Sequence, residues 1–280
     1  MKRDKKSIVT TTINPPTEAV YKFLEKRDWN LIVVGDLKTP HDDFRKLEKE
    51  NPNFKYLSPE EQSKKYPLVS EFLGWNCIQR RNIGFIEAYN LGSDIIATID
   101  DDNIPKTDWG KNIIVGEEIE IDLYEPKNGV FDPLSITKNN TLWHRGYPLQ
   151  LRHNKNDIIN LGKQKRKVLI QADLWDGDPD IDAISRIATS PEVDFDDVKS
   201  FYGSNRISPF NSQNTFLHRK VIPYYSVLPG VGRMDDIWGG YILQHFFPNS
   251  LVYGPATVYQ KRNVQDLIRN LENELIGYRK

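Results

Sequence analysis

Ile95-Ile96-Ala97-Thr98-Ile99-Asp100-Asp101-Asp102-Asn103 is the stretch whose reading decides the fold. A short apolar, β-branched run bounded by polar residues predicts a strand buried on both faces, as in a parallel sheet. It ends in three consecutive carboxylates. In an open α/β sheet, ligands bind outside the carboxyl ends of the strands. The strand therefore carries Asp100, Asp101 and Asp102 to the place where a ligand would lie. Hard oxygen ligands suit Mg²⁺ or Mn²⁺, and a cation held by one or two carboxylates keeps positions open for phosphate oxygens. The plain alternative is an acidic turn facing solvent. Three adjacent carboxylates repel one another without a cation, which favours the metal. Spacing alone does not name the ligand.

On the N-terminal side, Ser7 to Ile13 is β-branched and predicts a first strand, stopped by Pro15-Pro16. Thr17 to Lys26 predicts a helix, with Ala19, Val20, Phe23 and Leu24 on one face. Asn30 to Val34 predicts a second buried strand, closed by Gly35-Asp36. A strand–helix–strand of this length opens a doubly wound sheet. Asp36 would sit at a strand's carboxyl end, as a ligand for ribose or base or as a turn residue. Phe54 to Leu57 is a short strand, and Ser58-Pro59-Glu60-Glu61 carries a capping box. A further helix is predicted from about Cys77 to Leu91, ending at Gly92. Arg80, Arg81 and Asn82 lie near its start, where basic groups and free N–H groups suit a diphosphate. A solvated helix face is the other reading.

On the C-terminal side the pattern loosens. Ile119 to Leu123 alternates like a half-buried strand, and Lys163 to Lys167 predicts a solvated basic loop. Val168 to Ala172 predicts a strand leading to the acidic stretch Asp176-Gly177-Asp178-Pro179-Asp180-Ile181-Asp182. The Gly and the closing Glu of an EF-hand are not in place, so this is an acidic loop near a site. Ser208 to Phe216 is dense in amides, with Asn211 and Gln213 suited to sugar hydroxyls, or is a turn before a core strand. Asp235-Asp236 precedes a helical run to about Phe247; one is expected as N-cap and the other as free for chemistry. Leu251 to Tyr253 is a last strand, and an amphipathic helix is predicted after Asn263.

The 280 residues allow one large α/β domain or two small ones, and 38% hydrophobic residues can fill a sizeable core. A net charge of −1 gives no support for bulk nucleic-acid binding. Cys77 is the single cysteine, so an internal disulfide is excluded. No run approaches the roughly 20 apolar residues of a membrane helix, and no signal-peptide core follows Met1-Lys2-Arg3. The expectation is a soluble, cytoplasmic protein with no transmembrane segment.

Seven motifs stand in one order: Thr12 to Val20, Val34 to Pro40, Arg81 to Gly84, Asp100 to Asp102, Arg145 to Pro148, Phe210 to Gln213, and Asp236 to Trp238. In this the chain resembles the GT-A glycosyltransferase superfamily, and within it the STELLO glycosyltransferases and the reversibly glycosylated polypeptides, which are UDP-arabinopyranose mutases. The resemblance implies an α/β, GT-A-like (Rossmann-like) fold, with a mixed, mostly parallel sheet flanked by helices. It implies a single domain over residues 1–280, with a nucleotide-binding half to about 103 and a sugar and acceptor half from about 104. It implies a nucleotide-sugar donor, UDP-linked, a carbohydrate or glycoconjugate acceptor, and Mn²⁺ or Mg²⁺. Asp100, Asp101 and Asp102 would be the metal and nucleotide-sugar motif, the metal held by Asp100 and Asp102, with Arg81 and Asn82 by the diphosphate. In the mutases the arginine matching Arg145 is glycosylated and a second, at Arg152, is required. Where related sequences have a histidine after the last strand, Tyr259 stands here, next to Gln260. The expected activity is metal-assisted sugar transfer with Asp236 or Asp235 as base. The alternatives are a UDP-sugar pyranose–furanose mutase and a non-catalytic nucleotide-sugar-binding subunit.

Overall fold

The computed structural model describes residues 4–189, 191–262 and 265–279. Met1 to Arg3 and Asn263, which entered the sequence reading, lie outside them.

The first hundred residues build a parallel block. β1 (Lys6–Thr12) pairs with β2 (Asn30–Gly35) on one side and β4 (Ile95–Ile99) on the other, and β2 pairs with β3 (Phe54–Leu57). All five residues of β4 are buried, as a strand covered on both faces requires. The crossovers are helical. α1 (Glu18–Leu24) starts at Thr17, whose hydroxyl accepts from Val20 N–H, and buries the four apolar residues expected. α2 (His41–Glu50) was not foreseen: only Phe44 and Leu47 face inward, too sparse an apolar stripe to read. α3 (Pro59–Lys65) begins at the reciprocal Ser58–Glu61 box, and the short α4 (Pro67–Leu73) follows. A 3₁₀ turn over 78–80 then leads into α5 (Arg81–Asn90). α5 lies so close to the sheet that a Cβ at Gly84 would come within 2.4 Å of Val9 Cγ1.

The remaining elements are β5 (Asn103–Pro105), β6 (Glu118–Pro126), β7 (Ile158–Lys167), β8 (Ile170–Gly177), α6 (Ala183–Thr189), β9 (Tyr202–Ser204), β10 (Asn214–His218), α7 (Asp235–Phe246), β11 (Leu251–Gln260) and α8 (Leu267–Tyr278). They extend one sheet in the order β3-β2-β1-β4-β10-β8-β11-β9-β6-β7, with β5 added against β11. The class is α/β with a mixed sheet flanked by helices, parallel throughout its first four strands and antiparallel where β10 joins β4 and β8. Among the described residues, no helix is long and apolar enough to cross a membrane.

Three expectations are corrected. Lys163 to Lys167 is not a loop but the end of edge strand β7, where Lys163, Lys165 and Lys167 stand opposite Asp122, Glu120 and Glu118 of β6. Opposite charges across a ladder support the pairing, and charge on an edge discourages aggregation. The strand expected at Val168 runs from Ile170 to Gly177 and absorbs Asp173 and Asp176. The last strand extends from Leu251 to Gln260, with a register shift between Gly254 and Val258.

Candidate active site

The three acids after β4 go three ways. Asp100 Oδ1 accepts from Arg81 Nη2 at 2.6 Å. Asp101 turns back to the β1–α1 loop, accepting from Thr12 Oγ1 at 2.5 Å and Asn14 Nδ2 at 3.0 Å. Asp102 Oδ1 accepts from Gln260 Nε2 at 2.9 Å, and its backbone carbonyl from Lys261 N–H. Burial, then the charge of Asp100, pushes the Asp102 carboxyl up to about 7, against the pull of Arg262. Among the described residues, no three His, Cys, Asp or Glu side chains converge as a metal cluster.

Two cavities meet at this turn, sharing Asn76 and Ile78 in their walls. The first, of about 270 Å³, lies at the carboxyl ends of β1 and β2 and is lined only by residues between Thr11 and Asp101. Its acids are already committed. Asp36 accepts from Leu37, Asn76 and Cys77 N–H at 2.7–3.0 Å, so it braces the 76–77 turn against β2. Asp101 is held as described. Arg80 lines this cavity but is not aimed at a diphosphate. It is 1% exposed, lies over the Trp75 ring, and spends its donors on Gln62, Ser70 and Gly74. It closes the α3–α4 wall.

The second cavity, of about 560 Å³, is charged. Arg81 reaches it from the start of α5, donating to Ser212 Oγ and carbonyl as well as Asp100. Arg145 is buried at its floor. Its guanidinium has five N–H donors, and five acceptors meet them: both oxygens of Asp180, both of Asp236, and the Arg233 carbonyl. The two carboxylates raise the Arg145 pKa well above its usual value despite burial, and Arg145 in turn holds Asp180 far below the usual carboxylate range. Gly146, at φ +84°, turns the chain where a Cβ would strike Ile237.

Neither Asp235 nor Asp236 is the N-cap of α7; Met234 occupies that position. Asp236 is bound by Arg145 and by Ser212 N–H and Oγ, which hold its carboxyl down although burial opposes them. Asp235 has lighter partners, Gln79 Nε2 at 2.9 Å and Asp236 N–H. Burial and then the charge of Asp236 push it up to about 7. Of the two, Asp235 is the one able to exchange a proton near neutrality.

The structure thus gathers Asp100, Arg81, Arg145, Gln213, Asp235 and Asp236 on one cavity and Asp36, Arg80 and Asp101 on the other. Gln213 is 3% exposed, and its Nε2 has no partner. Four expected residues stand apart: Asp102 lines neither cavity, and three others are spent elsewhere. Asn82 is clamped in both directions to the Val227 backbone at 2.8 Å. Asn211 is spent on Asp180 at 2.8 Å. Arg152 is exposed and donates to the Leu149 carbonyl of its own turn. Gln79, Arg233, Arg262 and Asn273 line the second cavity and were not foreseen; only Asp180, in the acidic loop, carried a signal.

No family model matches the sequence. Curated relatives do. The chain is 24% identical over 294 residues to the probable glycosyltransferase STELLO2 of Arabidopsis thaliana, covering 94% of this chain and 36% of that protein. The chain resembles the STELLO glycosyltransferases. To STELLO1 of the same plant it is 24% identical over 260 residues, covering 84% of this chain and 32% of the relative. It spans about a third of the length of these relatives. Among solved structures, glucosyl-3-phosphoglycerate synthase from Mycobacterium tuberculosis, in complex with Mn²⁺, UDP and phosphoglyceric acid, is matched at a TM-score of 0.49 and 12% identity, over 98% of this chain and 77% of that one. The expected resemblance to STELLO glycosyltransferases is borne out; the mutases gain no support from these relatives.

Proposed function

We propose that the protein is a glycosyltransferase that takes its sugar from a nucleotide diphosphate sugar, UDP-linked, and passes it to an acceptor hydroxyl. The observation that carries this reading is the meeting of two cavities at the acid turn after β4, one whose carboxylates are held by neighbouring donors, the other with carboxylates and guanidiniums facing one another. The first cavity takes lining only from residues up to Asp101, which supports a nucleotide-binding half ending near residue 103. The second joins Arg81 and Asp100 to residues from Arg145 onward, which supports a sugar and acceptor half.

The residues fit a divalent cation of the kind that keeps open positions. Asp100 and Asp102 offer hard oxygens on one turn, and the Gln260 amide that meets Asp102 keeps a buried Oε1 without a hydrogen-bond partner. Asp100 and Asp102 would hold Mn²⁺ or Mg²⁺, which when bound neutralises charge developing on the leaving diphosphate. Arg81, fixed by Asp100 and Ser212, keeps a positive charge at the same place without reorganising. Gln213 offers its free amide N–H to a sugar hydroxyl. Asp235 takes the proton of the acceptor hydroxyl. The acceptor oxygen bonds to the anomeric carbon, that carbon's bond to the phosphate oxygen breaks, and UDP leaves.

The geometry of Arg145 speaks for transfer over the mutase. A guanidinium with every N–H engaged by buried acceptors and a raised pKa is a poor nucleophile. A panel of nucleotide sugars, with and without sugar acceptors, tests the reading. UDP release that depends on acceptor supports it. Ring-form interconversion of the donor, or binding without turnover, overturns it.

A further inference from the structure

β11 ends beside the acid turn, and its register is fixed there. It pairs antiparallel with β5, so that Tyr259 stands opposite Ile104 and Gln260 opposite Asn103, the residue after Asp102. Successive side chains of a strand point to opposite faces. Tyr259 accordingly faces away from the acids: it is 40% exposed, and its hydroxyl donates to Glu192. Gln260 is 2% exposed and faces Asp102.

The orientation of the Gln260 amide follows from its partner. Nε2 is the end turned to Asp102, donating to its Oδ1 at 2.9 Å. That leaves Oε1 as a buried acceptor without a hydrogen-bond partner. Buried polar atoms left unpaired in a native protein are uncommon and call for a reason, such as an ion they are built to meet. The same turn lacks a third acid for a cation. Asp101 is committed to Thr12 and Asn14, and no three His, Cys, Asp or Glu converge among the described residues. A neutral amide oxygen is a hard ligand of the type Mg²⁺ and Mn²⁺ accept.

We propose that Gln260 is a direct ligand of the divalent cation, its Oε1 completing a set with Asp100 and Asp102. The proposal rests on the function inferred above. It assigns the ligand on β11 to Gln260 rather than to Tyr259, and makes the protein's contribution all-oxygen.

Mn²⁺ affinity in the presence of UDP, read from the EPR signal of free Mn²⁺, tests it on the full chain with Gln260→Leu, Gln260→Glu and Gln260→His. Gln260→Leu should weaken Mn²⁺ binding at least tenfold. Gln260→Glu should bind as tightly as the unaltered protein or tighter, although it cannot donate to Asp102. Gln260→His should retain Mn²⁺, and pulsed EPR of the bound ion should show coupling to a ¹⁴N nucleus. Two outcomes overturn the proposal: Gln260→Leu binding Mn²⁺ like the unaltered protein, or Glu and His variants with intact melting curves losing it as Leu does, the His variant without nitrogen coupling. The second pattern would make Gln260 only a donor that positions Asp102. If the unaltered protein binds UDP no better with Mn²⁺ than with chelator, the metal-assisted reading itself falls.

Discussion

The two cavities share a rim but are built on opposite terms. Around the first, the acids Asp36 and Asp101 accept from backbone N–H groups or from Thr and Asn side chains. Around the second, charges face one another, and groups such as Asp235 and the Gln213 amide keep capacity in hand. The difference teaches where shape is fixed and where chemistry is left available. A wall whose polar atoms are spent recognises by form and can lose a residue only by deforming. A wall with unspent atoms can lose a function and keep its form.

The sharpest way to break this contrast is at the carboxylate pair. Asp235→Asn should reduce turnover by roughly 10²–10⁴-fold, the range for losing a general base, with the melting curve little changed. Because Asp235 must be ionised to act and its carboxyl stands at about 7, activity of the unaltered protein should rise with pH through that region and level off above it. A pH–rate profile that is flat between pH 6 and 8 would rule Asp235 out as base. Asp236→Asn should instead cost stability first, since it removes one of the two carboxylates that hold Arg145.

Next in size is the buried fork. Arg145→Met leaves Asp180 and Asp236 without their cation, and removing one partner of a buried pair costs roughly 3–5 kcal/mol. Urea unfolding at neutral pH measures it; a loss below about 1 kcal/mol would mean the fork is not structural. Intact-protein mass after incubation with UDP-sugars should show no sugar on Arg145, and an adduct would return the mutase to first place.

The first cavity should respond more mildly. Asp36→Asn keeps the shape but gives up one charge-assisted acceptor to the 76–77 turn, a difference of about 1.5 kcal/mol. Donor KM should rise about tenfold with kcat nearly unchanged. An equal fall in kcat would mean that this wall does chemistry after all. Smallest of all is Tyr259→Phe. Its hydroxyl meets only exposed Glu192, so stability should shift within about 0.5 kcal/mol, and Mn²⁺ affinity not at all.

What could be read in advance divides along the same line. β2 and β4 were legible because buried parallel strands are continuous apolar runs, β1 because it is β-branched, and α1 and α3 because Thr17 and Ser58 announce their starts. α2 was not, because two inward residues leave no visible stripe. At the site, the residue types were legible and their partners were not. Arg80 and Arg81 are adjacent in sequence, yet one ends in the α3–α4 wall and the other on Asp100, because the acceptors come from Gln62 and Ser70 in one case and Ser212 in the other. Such partners are set by sheet order, and β10 inserts between β4 and β8 only once the strands are paired. Gln260 depended on the pairing of β11 with β5, which no local pattern shows.

The last helix carries a consequence for the order in which the protein becomes competent. α8 packs on the turn before α7, where Glu274 meets Arg233, while Tyr278 OH receives the Gly146 N–H and Asn273 forms part of the second cavity's wall. On a ribosome, the chain forming the first cavity is complete once Asp101 has emerged, whereas the wall around Asp235 waits for Asn273 and Glu274. The ionic cavity is therefore the one completed last as the chain is made.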